Sequence, residues 1–333
     1  MSGVSITAVL VAWNAGPTLE ACARSLRESA DDAGVRLSLV VIDNDSTDDS
    51  VTSLSLRDGD RIVRNPLNAG FGVAAAQGIA LATAPWVMLV NPDVVVAREL
   101  IGELARTART APADVATLVP EMRYASDPSL INCRGVAMDA SGIPSEVDAG
   151  TRDDRERVPR IEVLGGSSGC CLLRLEALTM LGGVEPCFFA YLEDVDLAVR
   201  LRRAGFRALF VPGAVAWHEG SATTGEGSPL KTYLVARNRR LLFRLDGPHS
   251  IHARLWRAVA ETGHAVVSAR GNARAAPWRG RLAALRFRRY TRFVLRSRRL
   301  TESQQHPLEL PNRVGLRATL ARKRALEKVI GRH

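Results

Sequence analysis

Apolar and polar positions fall into blocks of two kinds along the first third of the chain. SITAVLVAW (5–13) and RLSLVVIDN (36–44) are near-continuous apolar runs rich in Val, Ile and Leu, the pattern of strands buried on both faces. Between them, PTLEACARSLRESA (17–30) reads as a helix opening on Pro17. STDDSVTSLSL (46–56) reads as a second helix, capped by Ser46 or Thr47. RIVRN (61–65) is a short third strand, FGVAAAQGIALAT (71–83) a helix and PWVMLVNPD (85–93) a fourth strand. This βαβα rhythm predicts an α/β fold with a mostly parallel sheet and helices on both faces. In such sheets ligands bind beyond the carboxyl ends of the strands.

The pattern changes after VATLVP (115–120). INCRGVAMDASGIPSEVD (131–148) predicts a hairpin turning at Ser141 and Gly142, and TRDDRERVPR (151–160) a polar loop. GGSSGCCLLR (165–174) is a Gly-Ser turn feeding a short strand. FFAYLEDVDLAVRLRRAGF (188–206) leads from aromatics into a helix that stops at Gly205. RALFVPGAVAWHEGS (207–221) predicts two short strands ending at Trp217 and His218. From Ser228 the reading is helical: SPLKTYLVARNRRLLFRL, then Arg-rich amphipathic segments near 251–268 and 278–299, and a last one near 313–330. We therefore expect a catalytic α/β domain over residues 1–240 and a helical extension over 241–333.

Charge sharpens that division. The 333 residues carry a net charge of +10. Residues 1–236 hold 21 Lys and Arg against 30 Asp and Glu, whereas residues 237–333 hold 24 against 5. An acidic body thus precedes a strongly basic extension. No apolar run reaches the ~18 residues of a membrane span, and the N-terminus reads as a strand, so neither a span nor a signal peptide is expected. Five cysteines without ligand or framework spacing are expected to be reduced and mostly packed.

Three strand ends carry polar residues: Trp13-Asn14, Asp43-Asn44-Asp45 and Asn91-Pro92-Asp93. A parallel sheet brings them to one rim. A carboxylate at a strand end suits Mg²⁺ or Mn²⁺, which take few protein oxygens besides substrate phosphates. Asp93 is the first candidate ligand, and His218 the second; its imidazole favours Mn²⁺. Gly70-Phe71-Gly72 opens a GxGxxA match, but it follows the third strand rather than the first, which speaks against a dinucleotide cofactor. Three acids, Glu193, Asp194 and Asp196, stand directly behind Phe188, Phe189 and Tyr191. A helix start accounts for one of them; Asp196 also has Arg200 and Arg203 within reach along a helix.

Together VLVAWN, VVIDNDSTDDS, NAGFGVAAAQG, LVNPDV, GGSSGCCLLR, FFAYLEDVDLAVRLRRAGF and AVAWHEGSAT resemble the inverting family-2 nucleotide-sugar glycosyltransferases of the glycosyltransferase-A fold. The resemblance covers roughly residues 4–240. It is nearest to bacterial rhamnosyltransferases acting on polyprenyl-linked or cell-wall glycans. It implies that Val11, Trp13, Asn14, Asp43, Asn44, Asp45, Asn68, Gly70, Asn91 and Asp93 face the donor. Asp93 falls on the last acid of the metal motif, here in the form NPD, and Asp194 falls on the catalytic base. Gly166, Tyr191, Glu193 and Trp217 are the implied acceptor contacts, and His218 the second metal ligand. Ala12, Trp13 and Gln77 depart from the Thr, Tyr or Phe, and Asn usual there.

The expected activity is transfer of a sugar with inversion, L-rhamnose from its dTDP form, onto a glycan or polyprenyl-linked acceptor. UDP-galactofuranose and UDP-N-acetylglucosamine are the alternative donors. A sugar-1-phosphate nucleotidyltransferase would want a Gly-rich, Arg- or Lys-bearing loop after the first strand, which WNAGPTLE is not. A non-catalytic glycan- or membrane-binding protein would not need Asp93 and Asp194 facing each other. The basic extension reads as a packing helix or as an attachment to the anionic inner face of the cell membrane. It lacks any nucleic-acid module. The protein is expected in the cytoplasm, peripheral to that membrane, with self-association open.

Overall fold

The computed structural model describes residues 3–138, 142–152, 162–219, 228–246, 251–269 and 271–291. The body opens with β1 (Ser5–Ala12), α1 (Thr18–Asp32), β2 (Arg36–Asp43), β3 (Arg61–Arg64), α2 (Phe71–Ala80), β4 (Trp86–Val90), β5 (Val94–Val96) and α3 (Leu100–Thr110). It continues with β6 (Val115–Tyr124), β7 (Ile131–Cys133), β8 (Val136–Met138), β9 (Pro144–Glu146), β10 (Glu162–Val163), β11 (Cys170–Arg174) and α4 (Leu175–Met180). Then come α5 (Glu193–Arg203), β12 (Arg207–His218), α6 (Pro229–Asp246), α7 (Ile251–Ser268) and α8 (Ala276–Ala283). The main sheet runs β10-β12-β6-β11-β4-β1-β2-β3, with β5 paired to β12 and β7 to β6. β3, β2, β1 and β4 are mutually parallel, as are β6 and β12; β11 is wedged antiparallel between β4 and β6.

The apolar runs are continuous because both sheet faces are covered. Ile6, Ala8 and Leu10 of β1, with Leu39 and Val41 of β2, join one core against α1 and α3. The alternating Val9, Val40 and Ile42 join a second core against α2, α4 and α5. Side chains of a strand alternate faces, so an apolar residue at every position fills two cores at once.

Two local expectations change. The segment 46–56 forms turns and bends rather than a helix. Its Ser and Asp side chains bond nearby backbone instead: Asp43 Oδ1 accepts from Ser46 N at 2.9 Å, and Asp48 Oδ1 from Ser50 N at 3.2 Å. Such local bonds compete with the helical ladder. Residues 207–218 form one strand, β12, whose register shifts between Val211 and Val215, rather than two strands. The 131–148 hairpin exists as β8 against β9; its turn at 139–141, most of the 151–160 loop and everything beyond 291, including the 313–330 segment, lie outside the described residues.

Residue 240 falls inside α6. A third core joins Phe188, Val195 and Val199 beside α5 to Leu241, Leu242 and Leu245 of α6 and to Ala284. The first part of the extension therefore packs on the body. The five cysteines are free thiols, four of them buried.

β6, β7 and β8 are tied by a buried ion network. Arg134, 1 % exposed, donates from Nε to Glu121 Oε2 at 2.8 Å and from Nη1 to Asp148 Oδ2 at 3.3 Å. Arg123 Nε donates to Glu121 Oε1 at 2.6 Å. Removing one partner of a buried pair leaves the other charge uncompensated. Arg134→Ala is therefore expected to lower the unfolding free energy by about 3–5 kcal/mol, read from the urea midpoint.

Candidate active site

The acid cluster splits into three environments. Asp196 is fully buried and accepts from Arg200 Nε at 2.7 Å, while Arg200 also donates to the carbonyls of Leu181 and Gly183. It is a structural ion pair that anchors α5. Asp194 accepts from Val195 N at 2.8 Å and from Ser168 N at 3.3 Å. Glu193 is 5 % exposed, and its Oε2 makes no hydrogen bond. Burial first, then the neighbouring Asp194 charge, push Glu193 up to about 8. Burial also raises Asp194, against the N–H donors that favour its ionised form. The two titrate as a pair, with the charge favoured on Asp194, which has the donors, and the proton on Glu193. Glu193, expected at the acceptor, is thus a buried neighbour of Asp194.

The approach to this helix is strained. Phe189, Tyr191 and Leu192 have φ of 64°, 71° and 68°. Left-handed backbone costs a bulky residue about 1–3 kcal/mol. Gly70, with φ of 88°, makes room for the loop: a Cβ there would lie 2.5 Å from the Phe189 ring. Gly72 N donates to Phe189 O at 3.1 Å. The GxGxxA glycines accommodate the acid loop, and the Gly70 N–H is engaged by Asn68 Oδ1 at 3.0 Å.

Asp93 and Asp194 are joined through one turn. Ser168 N donates to Asp194, and the next residue, Gly169, accepts from Asn91 N at 2.9 Å. The register that pairs Cys170 with Val90 puts the start of β11 beside the end of β4, hence the turn beside Asn91-Pro92-Asp93. Gly166 in the same segment leaves no room for a side chain: a Cβ would lie 2.5 Å from Cys171 Cβ.

His218 reaches Asp93 because β12 pairs with β5, setting His218 opposite Val94. Asp93 Oδ1 and His218 Nε2, both buried, lie 3.3 Å apart, and among the described residues neither has a hydrogen-bond partner. His218 Nδ1 is 3.2 Å from Asn132 Oδ1, which orients the ring so that Nε2 faces Asp93. A ring nitrogen and a carboxylate oxygen side by side at a strand end are ligand types a divalent cation such as Mn²⁺ accepts. Among the described residues no group of three or more His, Cys, Asp and Glu could hold a metal. A cation held by Asp93 and His218 would have two protein ligands at most and would need phosphate oxygens and water to complete its shell.

At the carboxyl ends of β1 and β2, the polar residues first knit the rim. Asn14, with φ of 49°, accepts at Oδ1 from Thr47 N at 2.8 Å. Asp43 accepts from Arg64 Nη1 at 3.2 Å. Asn44, 2 % exposed, donates to Asn68 Oδ1 at 2.8 Å and accepts at Oδ1 from Ala69 N and Asn65 Nδ2, both at 3.1 Å. Asn65 and Gln77 exchange amide bonds of 2.9 and 3.1 Å. Asn44 and Asn68 therefore hold the 65–70 loop. Asp45 is exposed, with φ of 72°; Val11 and Trp13 stand half-buried beside it on the β1 and β2 ends, and Tyr191 and Trp217 are half-buried at the other end. Sequence reasoning missed Asn65 and Asn132, and it read the Ser167–Gly169 turn without its bonds to Asn91 and Asp194; these roles depend on pairings between distant strands.

The polar rim at the carboxyl edge of the sheet thus carries Asp93 beside His218, with Asp194 tied to it through the Ser168–Gly169 turn. The model of "Glycosyltransferase like family 2" matches residues 4–241, and the chain belongs to this family; it is a glycosyltransferase. The chain is 30 % identical over 271 residues to an N-acetylglucosaminyl-diphospho-decaprenol L-rhamnosyltransferase of Mycobacterium tuberculosis, covering 73 % of this chain and 84 % of that protein. Among solved structures it resembles GalNAc-T7 with UDP, GalNAc and Mn²⁺ at a TM-score of 0.57 and 17 % identity, over 73 % of this chain and 48 % of that one, about half its length. It also resembles the mannosyltransferase PcManGT of Pyrobaculum calidifontis with GDP-Man and Mn²⁺, at a TM-score of 0.52 and 16 % identity, over 90 % and 86 % of the two chains. These two likenesses place the fold in the glycosyltransferase-A class.

The Glu193 proton has a measurable consequence. A folded-state pKa raised above the unfolded value gives stability that is full below the unfolded pKa and lost as pH rises through the folded one. Glu193→Gln keeps the neutral shape at all pH. Its melting temperature relative to the parent is expected to rise from about pH 5 to about pH 9, measured by thermal unfolding across that range.

Proposed function

We propose that the chain transfers L-rhamnose from dTDP-L-rhamnose, with inversion, to a polyprenyl-diphosphate-linked sugar. The observation that carries this reading is the turn that ties Asp194 to the Asp93 strand end; the name of the Mycobacterium tuberculosis relative supports the donor and acceptor class. In this reading Asp194 takes the proton of the acceptor hydroxyl as its oxygen attacks the anomeric carbon. The bond from that carbon to the diphosphate oxygen breaks, and the nucleoside diphosphate leaves with the electron pair. Asp93 and His218 would hold Mg²⁺ or Mn²⁺, which when bound neutralises charge on the leaving diphosphate. Val11, Trp13 and Asp45 face the nucleoside, while Gly166, Tyr191 and Trp217 border the acceptor, and Glu193, neutral, leaves Asp194 as the single negative base. The catalytic unit ends near residue 240, inside α6.

Asp194→Asn is expected to cut transfer at least 10³-fold, given the usual worth of a general base plus its charge, with nucleoside diphosphate binding within twofold of the parent. The parent is assayed with dTDP-L-rhamnose, UDP-galactofuranose and UDP-N-acetylglucosamine against a decaprenyl-diphosphate-linked acceptor, and the product anomer is read by NMR. Turnover with another donor, or a retained anomer, overturns the reading.

The extension supplies the partner surface in this proposal. On α7, Ile251, Leu255, Val259 and Val266 are exposed along one face, while Arg257, Glu261 and Ala265 are buried on the other. Arg281 lies 5.3 Å from the Trp278 ring and donates to Thr262 Oγ1 at 3.2 Å, joining exposed Trp278 and Leu282 of α8 to that stripe. Arg274, Arg279 and Arg286 are exposed nearby in sequence. An apolar stripe bordered by Trp and Arg suits the interface of an anionic bilayer. Among the described residues no helix is long and apolar enough to cross a membrane. The chain is expected to float with phosphatidylglycerol vesicles at low salt and to be released by Leu255→Glu with Val259→Glu. Self-association without flotation would assign the face to a second copy instead.

A further inference from the structure

The strained approach to Asp194 is held from outside the segments that carry the family resemblance. Asn238, on α6, is fully buried. Its Nδ2 lies 2.8 Å from the carbonyl oxygen of Phe188 and 2.7 Å from those of Ala190 and Tyr191. Beside it, Arg237 donates from Nε to Asn238 Oδ1 at 2.9 Å, which fixes which end of the amide faces the loop. The same guanidinium donates from Nη2 to Cys187 O at 3.2 Å and to Phe188 O. Four consecutive or near-consecutive carbonyls, those of residues 187, 188, 190 and 191, thus converge on two neighbouring side chains.

This convergence has a local cause. Left-handed residues at 189, 191 and 192 turn the backbone so that its carbonyls point inward, away from water. A buried carbonyl without a donor is costly, so the loop keeps this shape only where donors are supplied. The loop is also held by Gly72 N on Phe189 O, by the Glu185 side chain, which accepts from Cys187 N at 3.4 Å, and by its own turn bond from Ala190 N to Phe188 O at 2.8 Å. Glu193 and Asp194 begin α5 directly after Leu192, so the direction in which α5 leaves this loop decides where the Asp194 carboxylate sits relative to Ser168 and the Asp93 strand end.

We infer that Asn238, oriented by Arg237, is a positioning residue for the transfer reaction: it fixes the 187–192 loop and through it the place of the Asp194 carboxylate. The inference rests on Asp194 being the base. Asn238 touches no reacting atom, so its loss should act on the chemical step and leave the donor end intact. Asn44 and Asn68, which shape that end, hold the 65–70 loop through bonds to Ala69, Gly70 and Asn65 rather than to Asn238 or Arg237.

Asn238→Asp keeps the side-chain size and replaces the donor by an acceptor facing three carbonyls; Asn238→Ala removes it. In either variant kcat is expected to fall 10- to 100-fold, with the Kd for the nucleoside diphosphate unchanged within twofold. Hydrogen exchange in 187–195 should accelerate while β1 and β4 keep parent protection. Arg237→Lys, which keeps a cation but loses the Nε bond to Asn238, should give a smaller loss of the same kind and serves where the Asn238 variants do not fold. Leu241→Ala, from the same helix and core, controls for destabilisation and should keep parent kcat per folded molecule. Parent kcat in a folded Asn238 variant, or kcat and nucleotide affinity falling together, overturns the inference. Exchange in 187–195 is read without any sugar, so an unchanged rate there defeats the clamp itself, whereas a parent inactive with every donor defeats only the proposed reaction.

Discussion

One strand insertion sets the geometry on which the site depends. β11 enters the sheet antiparallel between β4 and β6, so its beginning, not its end, lies at the carboxyl edge of the parallel strands. The turn before it, Ser167–Gly169, is thereby pinned on one side to Asn91 and on the other to Asp194. A parallel strand in that place would have sent this turn to the far edge. A carboxylate from α5 could then not share a rim with the strand-end acid more than a hundred residues earlier in the chain. Gly165 and Gly166 permit it sterically, since a Cβ on Gly165 would lie 2.3 Å from Ala198 on α5.

Stability is given up locally at this rim and recovered elsewhere. A neutralised glutamate and three left-handed residues are each unfavourable alone. They persist because the layers beneath are filled from both faces of one sheet and because buried pairs such as Asp196–Arg200 fix the elements that bear them. Local rules failing together at one edge of an otherwise consistent fold is the pattern expected of a functional site.

The alternation of apolar runs and helical spacing made the first four strands, α1, α2, α5 and α7 legible in the sequence, because each buries its own face against a neighbour close in the chain. Asp93, Asp194 and His218 were legible as candidates from their strand-end and helix-start positions. What was not legible depends on long-range pairing. The 46–56 segment has helix-compatible residues, yet its Ser and Asp side chains find nearer partners, and Asn14 captures Thr47. Glu193 looks like any acid in a first helical turn until the fold buries it. Asn238 carried one signal, an amide within the apolar side of a helix, but only the folded loop shows what it serves.

The charge division of the chain has a physical consequence at the rim. The body through residue 236 has nine more acids than bases, and Asp43, Asp45, Asp93 and Asp194 stand at the sheet edge. At that edge Asp43 is met by Arg64, and Asp93 Oδ1 faces His218 Nε2 at 3.3 Å. In the proposed reading a nucleoside diphosphate would bring further negative charge to the same place. Like charges at such separations repel by several kcal/mol at the effective dielectric of a protein surface, so a diphosphate bound there would call for positive charge at its side. Two protein ligands would be too few to retain a hydrated dication tightly by themselves, so under that reading occupancy of the Asp93–His218 pair and of the nucleotide should rise together.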